Sequence, residues 1–205
     1  MKRLIVGITG ASGAMYGIRA LEALADVPDV ETHLVVSAAG MQTIAGETSR
    51  SVAEVRALAD AVHSDRDIGA SVASGSFRVE GMLVAPCSVK TLSAIANSYG
   101  QTLIARAADV CLKERRRLVL LLRETPLHLG HIELMDRATR IGAIVMPPVP
   151  AFYHRPRTIE DIVDQTIGRA LDLFGIDAGL VSRWKEVDEE ADTPGKVTPL
   201  PAKPR

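Results

Sequence analysis

Short, nearly continuous apolar segments alternate with amphipathic stretches along most of the chain, and this alternation limits the folds that it can adopt. Runs of Val, Ile, Leu and Met predict strands that are buried on both faces, as in a parallel sheet. These runs are Arg3–Thr9, Thr32–Ser37, Gly81–Ala85, Leu118–Leu122 and Ala143–Met146. The intervening stretches have apolar residues at helical spacing and predict helices. The helices are expected at Ala14–Ala25, Gly40–Ala45, Val52–His63, Val89–Asn97, Ala105–Arg116, Leu129–Arg140 and Ile159–Phe174. The pattern predicts an α/β protein with three αβα layers around a parallel sheet.

Length, charge and cysteine content restrict the class of protein. The chain has 205 residues, and we assign residues 1–185 to one domain and 186–205 to a proline-rich tail. A formal net charge of −1 gives no basic excess for nucleic acid. No apolar run approaches the roughly 20 residues that span a bilayer, and the N-terminal run is too short for a signal peptide. Cys87 and Cys111 lie in apolar segments, as reduced thiols do, so we expect a cytoplasmic protein. The charge and the short apolar runs predict neither a nucleic acid nor a membrane as a partner.

The glycine-rich segment GITGASGAMYG (7–17) connects the first strand to the first helix. Backbone N–H groups after Gly10, the Ser12 hydroxyl and the helix dipole favour an anion there. The segment does not match the dinucleotide fingerprint, and the second strand ends in Ser37 rather than in an acidic residue. A mononucleotide such as FMN therefore fits better than NAD. The alternative is that the glycines only shape a tight turn.

A second polar turn follows the third predicted strand in the segment LVAPCSVKTLSAIA. We expect Pro86 to stop the strand, after which Ser88 and Thr91 place hydroxyls at a helix start, with Lys90 between them. Both turns open at the C-terminal edge of a doubly wound sheet, where ligands bind. The alternative is that Ser88 only caps its helix. Cys87 has no adjacent base, so a packed thiol is favoured over a nucleophile.

Charged residues elsewhere in the sequence offer further candidates. Arg106 and Lys113 lie on a basic helix whose face could simply be solvated. Glu124 ends the apolar strand RLVLLLRE beside Arg123, at the same edge as the two turns, and could transfer protons.

The region that follows contains one aromatic loop and two weaker signals. Tyr153 stands in the proline-bracketed loop PAFYHRP. Arg169 interrupts an apolar stripe, and the alternative to a functional role is that its side chain simply extends to solvent. His128 and His131 have the spacing of metal ligands but lack the H-E-x-x-H context, so we expect no metal.

Five stretches together resemble the UbiX-type flavin prenyltransferases, from the N-terminus to about Arg183. They are GITGASGAMYG, ASGSF (73–77), MLVAPCSVKTLSAIA, RAADVCLKERRRLVLLLRETPL and PAFYHRP. The resemblance implies a flavodoxin- or Rossmann-like parallel sheet and a homo-oligomer, commonly a dodecamer, that binds reduced FMN and dimethylallyl phosphate. It would join the dimethylallyl group to N5 and C6 of the flavin without a metal. The product, prenylated FMN, would pass to a UbiD-type decarboxylase.

The resemblance also implies roles for individual residues. Catalytic roles would fall to Ser12, Glu47 and Glu124, with Glu124 in proton transfer. The prenyl donor would contact Arg106, Lys113, Tyr153 and Arg169. The flavin would contact Gly10, Ala11, Ser12, Ser37, Ser88, Val89, Lys90, Thr91 and Arg123.

One departure and two alternatives accompany this interpretation. Ile68 stands where many members of the family have an aromatic residue, and the only tryptophan is Trp184. A flavin-dependent cysteine decarboxylase is one alternative, although its P-A-S-A-N-T turn is replaced by PCSVKT with Lys90 in place of the asparagine. The other is an FMN-binding accessory subunit of a decarboxylase that has no catalytic activity of its own.

Overall fold

The structure of this chain, a computed structural model, describes residues 1–184, so the predicted tail at 186–205 lies outside the described residues. Strands and helices alternate along the described part. The strands are β1 (Lys2–Ile8), β2 (Val30–Val36), β3 (Ala61–Ser64), β4 (Gly81–Cys87), β5 (Arg117–Leu122) and β6 (Ile144–Val145). The helices are α1 (Ala14–Ala25), α2 (Ala38–Glu47), α3 (Val52–Arg56), α4 (Val89–Ala96), α5 (Leu103–Lys113), α6 (Leu129–Arg140) and α7 (Ile159–Asp172). A single 3-10 turn spans Ser71–Ala73.

The strands form one sheet in the order β3-β2-β1-β4-β5-β6, and all the neighbouring pairs are parallel. This is the order of a doubly wound sheet, and it confirms the predicted α/β fold. The chain reverses its direction of winding between β1 and β4. The carboxyl ends of these two strands therefore flank the crevice where such sheets bind ligands.

Helices cover both faces of the sheet, which gives the three predicted layers. Buried residues of α1, α2, α3 and α7 pack on the face that carries Leu34 and Leu83. Buried residues of α4, α5 and α6 pack on the face that carries Val35 and Met82. Because both faces are covered, the central strands are apolar almost throughout, as the continuous apolar runs predicted.

The geometry of the segment GITGASGAMYG requires glycine at two positions. Gly13 has a φ of 103°, a left-handed conformation that other residues rarely adopt. At Gly17, a Cβ atom would lie 2.3 Å from the Ala85 carbonyl oxygen. Helix α1 therefore lies directly against β4, and the glycines do shape a tight turn, as the alternative interpretation held.

The predicted helix at Val52–His63 is wrong in its second half. Helix α3 ends at Arg56, and Ala61–Ser64 form the edge strand β3 beside β2. Between them the Asp60 carboxylate accepts hydrogen bonds from the Thr32 backbone N–H (2.7 Å) and hydroxyl (2.9 Å). This contact fixes Asp60 against β2, so the helix cannot continue past it.

We had expected Pro86 to stop its strand, and this prediction is wrong. Strand β4 runs to Cys87, with a register irregularity between Val84 and Cys87 in its pairing with β5. A proline is tolerated at such an irregularity because no ladder N–H is needed there. The strand therefore ends one residue before Ser88.

Two of the helices begin with capping boxes. Ser51 and Glu54 form a capping box at α3, and Thr158 and Asp161 form one at α7. Within residues 1–184, every helix is too short or too polar to span a bilayer.

Candidate active site

A cavity of about 870 Å³ opens at the C-terminal edge of the sheet. Its walls come from the turns that follow β1, β2 and β4, from the segment after β3 and from the start of α5. Its lining includes five of the predicted flavin residues: Gly10, Ser37, Ser88, Lys90 and Thr91. Its size is within the range of cavities that hold cofactors.

Three helices begin at this cavity. The hydroxyls of Ser37, Ser88 and Thr102 cap α2, α4 and α5, and each accepts a hydrogen bond from a backbone N–H three residues later (3.0, 3.3 and 3.3 Å). Ser88 is thus a helix cap, as one interpretation held, and it also lines the cavity. Because each helix start carries a partial positive charge, the three together favour an anionic ligand.

The charged side chains of the cavity wall add to this positive potential. Arg56, Arg66 and Lys90 line the cavity together with one carboxylate, Asp65. Asp65 is engaged, since its Oδ1 accepts a hydrogen bond from the Ile104 backbone N–H (3.0 Å). Within the described chain, no carboxylate lies within 4 Å of the three cations. The cavity therefore has an excess of positive charge available to a phosphate.

A buried threonine joins the two turns at the switch point. The Thr9 hydroxyl donates to the Pro86 carbonyl oxygen (2.7 Å) and accepts from the Ser88 backbone N–H (2.9 Å). Only 1% of Thr9 is exposed. This residue fixes the Gly10 turn relative to the Ser88 turn, and sequence reasoning missed it because Thr9 reads as the last residue of an apolar strand.

Glu47 occupies the start of α1, where the sequence predicted an anion. Its carboxylate accepts hydrogen bonds from the backbone N–H groups of Gly13 (2.7 Å) and Ala14 (3.2 Å). Burial acts to raise the pKa of Glu47, but these two bonds and one from the Ser12 hydroxyl outweigh it. The charge of Arg123 acts in the same direction, so the pKa lies below its ordinary value. The anion at this helix start is a carboxylate of the chain itself.

The remaining predicted flavin residues do not line the cavity. Ala11 is buried and Val89 is the first residue of α4. Ser12 and Arg123 instead surround Glu47, beside the Gly10 turn.

Arg123 and Glu124 follow β5 at the C-terminal edge, as the strand pattern predicted. The backbone N–H of Arg123 donates to the Cys87 carbonyl oxygen (3.0 Å). The Glu124 side chain is exposed, and its Oε1 accepts from the Thr125 backbone N–H (3.0 Å). Glu124 thus presents a solvent-accessible carboxylate at this edge.

Two predicted donor-site residues lie on α5, at different distances from the cavity. Arg106 follows the cavity-lining residue Ala105 and pairs with Asp109 (3.1 Å). Lys113 ends the helix and contacts Glu114. Since Leu103 and Lys113 are ten residues apart on α5, the helix rise separates them by about 15 Å. Lys113 therefore lies near the opposite edge of the sheet and does not line this cavity.

Tyr153 and Arg169 form a separate group on the outside of α7. The Tyr153 hydroxyl accepts a hydrogen bond from Gln165 Nε2 (2.6 Å), and Arg169 donates to Asp172 (2.6 Å). The Tyr153 ring meets the Trp184 ring edge-on, with centroids 5.4 Å apart. Neither Tyr153 nor Arg169 lines the cavity. Trp184 therefore supplies an aromatic surface beside Tyr153, whereas Ile68 is exposed.

The cysteine and histidine candidates have no place in this site. Cys87 is fully buried, and burial raises the pKa of its thiol to about 12, so it is the packed thiol that we expected. The His128 and His131 rings lie close together, with centroids 3.6 Å apart and their planes tilted by 34°. Among the described residues, His, Cys, Asp and Glu form no group of three or more that could hold a metal ion.

The chain matches known proteins over most of its length. A model of the Flavoprotein family matches residues 1–171. The flavin prenyltransferase UbiX of Escherichia coli K12 is 60% identical over 187 residues, which cover 90% of this chain and 99% of that protein. This chain belongs to the UbiX flavin prenyltransferase family.

Solved structures agree with this assignment. AnUbiX (PadA1), in complex with FMN and dimethylallyl pyrophosphate, is 53% identical and superimposes with a TM-score of 0.88 over 91% of this chain and 99% of its own. A dodecameric FMN-dependent UbiX-like decarboxylase from E. coli O157:H7 is 49% identical, with a TM-score of 0.87 over 89% of this chain and 99% of its own. The prenyltransferase assignment is therefore favoured over both the cysteine decarboxylase and the accessory-subunit alternatives.

Proposed function

We propose that this chain transfers a dimethylallyl group from dimethylallyl phosphate to N5 and C6 of reduced FMN. The product, prenylated FMN, supplies a UbiD-type decarboxylase in the cytoplasm. The observation that supports this most directly is the positively charged cavity formed by the Gly10, Ser37 and Ser88 turns, because its charge and size suit a flavin mononucleotide. A family member that was solved with FMN and dimethylallyl pyrophosphate supports FMN as the acceptor and a dimethylallyl donor.

Residues of the cavity fit the phosphate of FMN. Lys90 supplies a cation, and Ser37, Ser88 and Thr91 bring hydroxyl groups to the same cavity. Their helix starts add N–H donors whose direction is already fixed, so little reorganisation is needed on binding. Reduced FMN is a substrate here, and it supplies the nucleophilic ring positions that accept the prenyl group.

The donor phosphate requires positive charge where it leaves the allylic carbon. Arg169 and Lys113 supply that charge, and the Tyr153 hydroxyl adds a hydrogen-bond donor. Rings of the flavin, Tyr153 and Trp184 shield the allylic cation as it develops. No metal is needed in this arrangement.

We place the two halves of the site on different protomers. In one chain, Lys113, Tyr153 and Arg169 do not line the cavity. We expect the homo-oligomer to be a dodecamer, which its mass in solution tests. Its assembly would bring the outside of α7, and the end of α5 that carries Lys113, from neighbouring protomers to the cavity edge. The dodecameric relative supports this arrangement.

Two carboxylates have different tasks in the proposed reaction. Glu47 is ionised and holds both the α1 start and the Ser12 hydroxyl in place. Glu124 is exposed at the C-terminal edge of the sheet and moves the proton that is released when the ring closes at C6. Arg106, which is one residue beyond the cavity lining, contributes positive charge toward the donor.

Anaerobic incubation with reduced FMN tests the proposed function. One sample receives dimethylallyl phosphate, one dimethylallyl pyrophosphate and one no donor, and the extracted flavin is analysed by mass spectrometry. We expect a five-carbon adduct with the monophosphate. Unmodified flavin with both donors would contradict the enzyme assignment and leave the accessory-subunit alternative. Activation of a UbiD-type apo-decarboxylase by the extract tests the proposed acceptor.

A further inference from the structure

Gln165 is one of the few polar residues that are almost completely buried. It lies in the middle of α7 with only 4% of its surface exposed. Its side chain lies between Tyr153 on one side and the backbone of Ser182 on the other. A buried amide is costly unless its donors and acceptor are satisfied, so these contacts define what Gln165 does.

The contacts fix the orientation of the Gln165 amide. Its Oε1 accepts from the backbone N–H of Ser182 (2.9 Å), a group that can only donate. The other end of the amide is therefore the NH₂ group. Its two hydrogens donate to the Ser182 carbonyl oxygen (3.2 Å) and to the Tyr153 hydroxyl (2.6 Å). A reversed amide would place two donors against each other at Ser182.

This orientation determines the role of the Tyr153 hydroxyl. The hydroxyl oxygen accepts from Gln165, so its own hydrogen remains available to an acceptor. Among residues 1–184, the Tyr153 hydroxyl makes no hydrogen bond besides this one, and the side chain is 43% exposed. A phosphate oxygen is such an acceptor. Accepting one hydrogen bond also polarises the hydroxyl and makes it a stronger donor.

A short segment that contains Ser182 and Arg183 connects the contacts of Tyr153 with those of Arg169. Ser182 is held by Gln165, and the next residue, Arg183, binds Asp172 (3.0 and 3.1 Å). Asp172 also accepts from Arg169 (2.6 Å). This segment therefore contributes to the positions of both Tyr153 and Arg169, the two residues proposed to contact the donor phosphate.

We propose that Gln165 is a positioning residue for the donor phosphate. It holds the Tyr153 hydroxyl as an acceptor and so directs its hydrogen to the prenyl phosphate. This inference depends on the proposed function, because it takes Tyr153 to contact the donor.

Two substitutions of Gln165 test the inference in the full-length, FMN-loaded oligomer. Gln165→Met keeps the length of the side chain but cannot donate, so we expect the dissociation constant of dimethylallyl phosphate to rise about tenfold. Gln165→Glu, when ionised, accepts the Tyr153 hydrogen and removes it from the phosphate, so the loss should be larger. Flavin fluorescence should show FMN affinity within about twofold of wild type for both variants.

The pH dependence of Gln165→Glu separates positioning from packing. Burial raises the pKa of a carboxyl group, and a protonated glutamic acid can donate to Tyr153 as the amide does. We therefore expect donor binding by Gln165→Glu, relative to wild type at the same pH, to recover as the pH is lowered. Gln165→Met should show no such recovery. This arm remains informative if Gln165→Met folds poorly.

Two controls distinguish the possible failures. Thr166→Val removes a neighbouring buried hydroxyl that donates to the Ile162 carbonyl oxygen (2.8 Å), and should leave donor binding unchanged. Tyr153→Phe should weaken donor binding. If Tyr153→Phe does so but neither Gln165 variant does, the positioning role is wrong and the proposed function stands. If Tyr153→Phe binds the donor normally, the donor site itself is wrong. Equal losses of FMN and donor in both Gln165 variants would show that Gln165 is only structural.

Discussion

At the scale of single residues, Glu47 takes the place that a bound phosphate occupies at many helix starts. Its carboxylate accepts the N–H groups of Gly13 and Ala14, so it acts as a cap supplied from α2 to α1. The glycine pattern predicts a tight turn with an anion, but nothing local in the sequence indicates that the anion comes from residue 47. We therefore expect the ligand phosphate to bind in the neighbouring cavity.

Glu47→Gln is expected to destabilise the protein by about 1 kcal/mol at pH 7, the usual contribution of a helix cap. Urea unfolding of the variant measures this difference. Glu133→Gln, an exposed change on α6, is the matched control and should have no measurable effect. Equal stability of wild type and Glu47→Gln would show that this carboxylate is not a cap.

The pH dependence of this difference follows from the lowered pKa of Glu47. Because the folded-state pKa lies below the ordinary value of 4.5, the stabilisation is fully present above pH 4.5. It is lost as the pH falls through the folded-state pKa, where the carboxyl becomes protonated in both states. The stability difference between wild type and Glu47→Gln should therefore be constant from pH 7 to 5 and shrink in more acidic solution. A difference that grows on acidification would contradict the assignment.

Lys90 is predicted to recognise the phosphate rather than the ring system of the flavin. Lys90→Met should raise the dissociation constant of FMN about tenfold, because one charge-assisted contact is lost, and leave that of riboflavin nearly unchanged. Fluorescence titration with both flavins measures the two affinities. Arg78→Met, an exposed change just before β4, is the control. Equal losses for FMN and riboflavin would place Lys90 elsewhere in the flavin site.

Glu124→Gln is predicted to stop the reaction after the first bond is formed. A neutral amide cannot accept the proton that leaves when the ring closes, so a flavin with an attached but unclosed prenyl group should accumulate. Absorbance spectra and mass spectrometry of the extracted flavin distinguish the open adduct from the closed product. Normal formation of the closed product by Glu124→Gln would refute this role.

At the scale of secondary-structure elements, the Thr9 hydroxyl joins the ends of β1 and β4 on which the two ligand-binding turns begin. Thr9→Val keeps the shape of the side chain but leaves the Ser88 N–H and the Pro86 carbonyl without this partner. We expect a loss of about 1–3 kcal/mol in the free energy of unfolding together with weaker FMN binding.

A threonine outside the site provides the comparison for Thr9→Val. The Thr139 hydroxyl bonds the Met135 carbonyl on the exposed face of α6 (2.8 Å), and Thr139→Val should leave both stability and FMN binding close to wild type. If Thr9→Val loses stability but binds FMN normally, the hydroxyl supports the sheet without positioning the turns.

Much of the element order could be predicted because buried parallel strands are continuously apolar. The edge strand β3 escaped prediction because its residues alternate between partly exposed and exposed, and the preceding apolar spacing continues a helical pattern. What ends α3 is the contact of Asp60 with Thr32 on another strand. A pairing between residues 28 positions apart has no signature in a local window.

The candidate site was predictable only as far as the strand ends were. Each of the residues Gly10, Ser37, Ser88, Lys90 and Thr91 ends or follows a predicted strand, so their convergence at one edge follows from the parallel topology. The places of Lys113 and Arg169 do not follow in this way. They depend on the lengths of α5 and α7, which carry these residues away from the edge where the helices begin.

At the scale of the whole molecule, the fold separates two groups of residues that the reaction requires together. The cavity lies at the C-terminal edge of the sheet. Arg169 instead lies close to the end of α7. The Lys2 side chain, at the start of β1, donates to the Gly175 carbonyl oxygen just after α7 (3.3 Å), so this end of α7 lies near the opposite edge of the sheet. We therefore propose that a complete site depends on the assembly. Arg169→Ala should accordingly weaken donor binding far more than FMN binding, and equal losses would show a structural role.

Mixed oligomers test the central claim that each site combines residues of two protomers. Lys90→Glu removes the flavin half and Arg169→Ala the donor half, so each variant alone should be nearly inactive. When the two are co-expressed in equal amounts, about a quarter of the sites in a randomly mixed oligomer should pair an intact Lys90 with a neighbour's intact Arg169. The account predicts that the mixture recovers about that fraction of wild-type prenylation. Activity no higher than the mean of the two separate variants, in oligomers shown to be mixed, would contradict it.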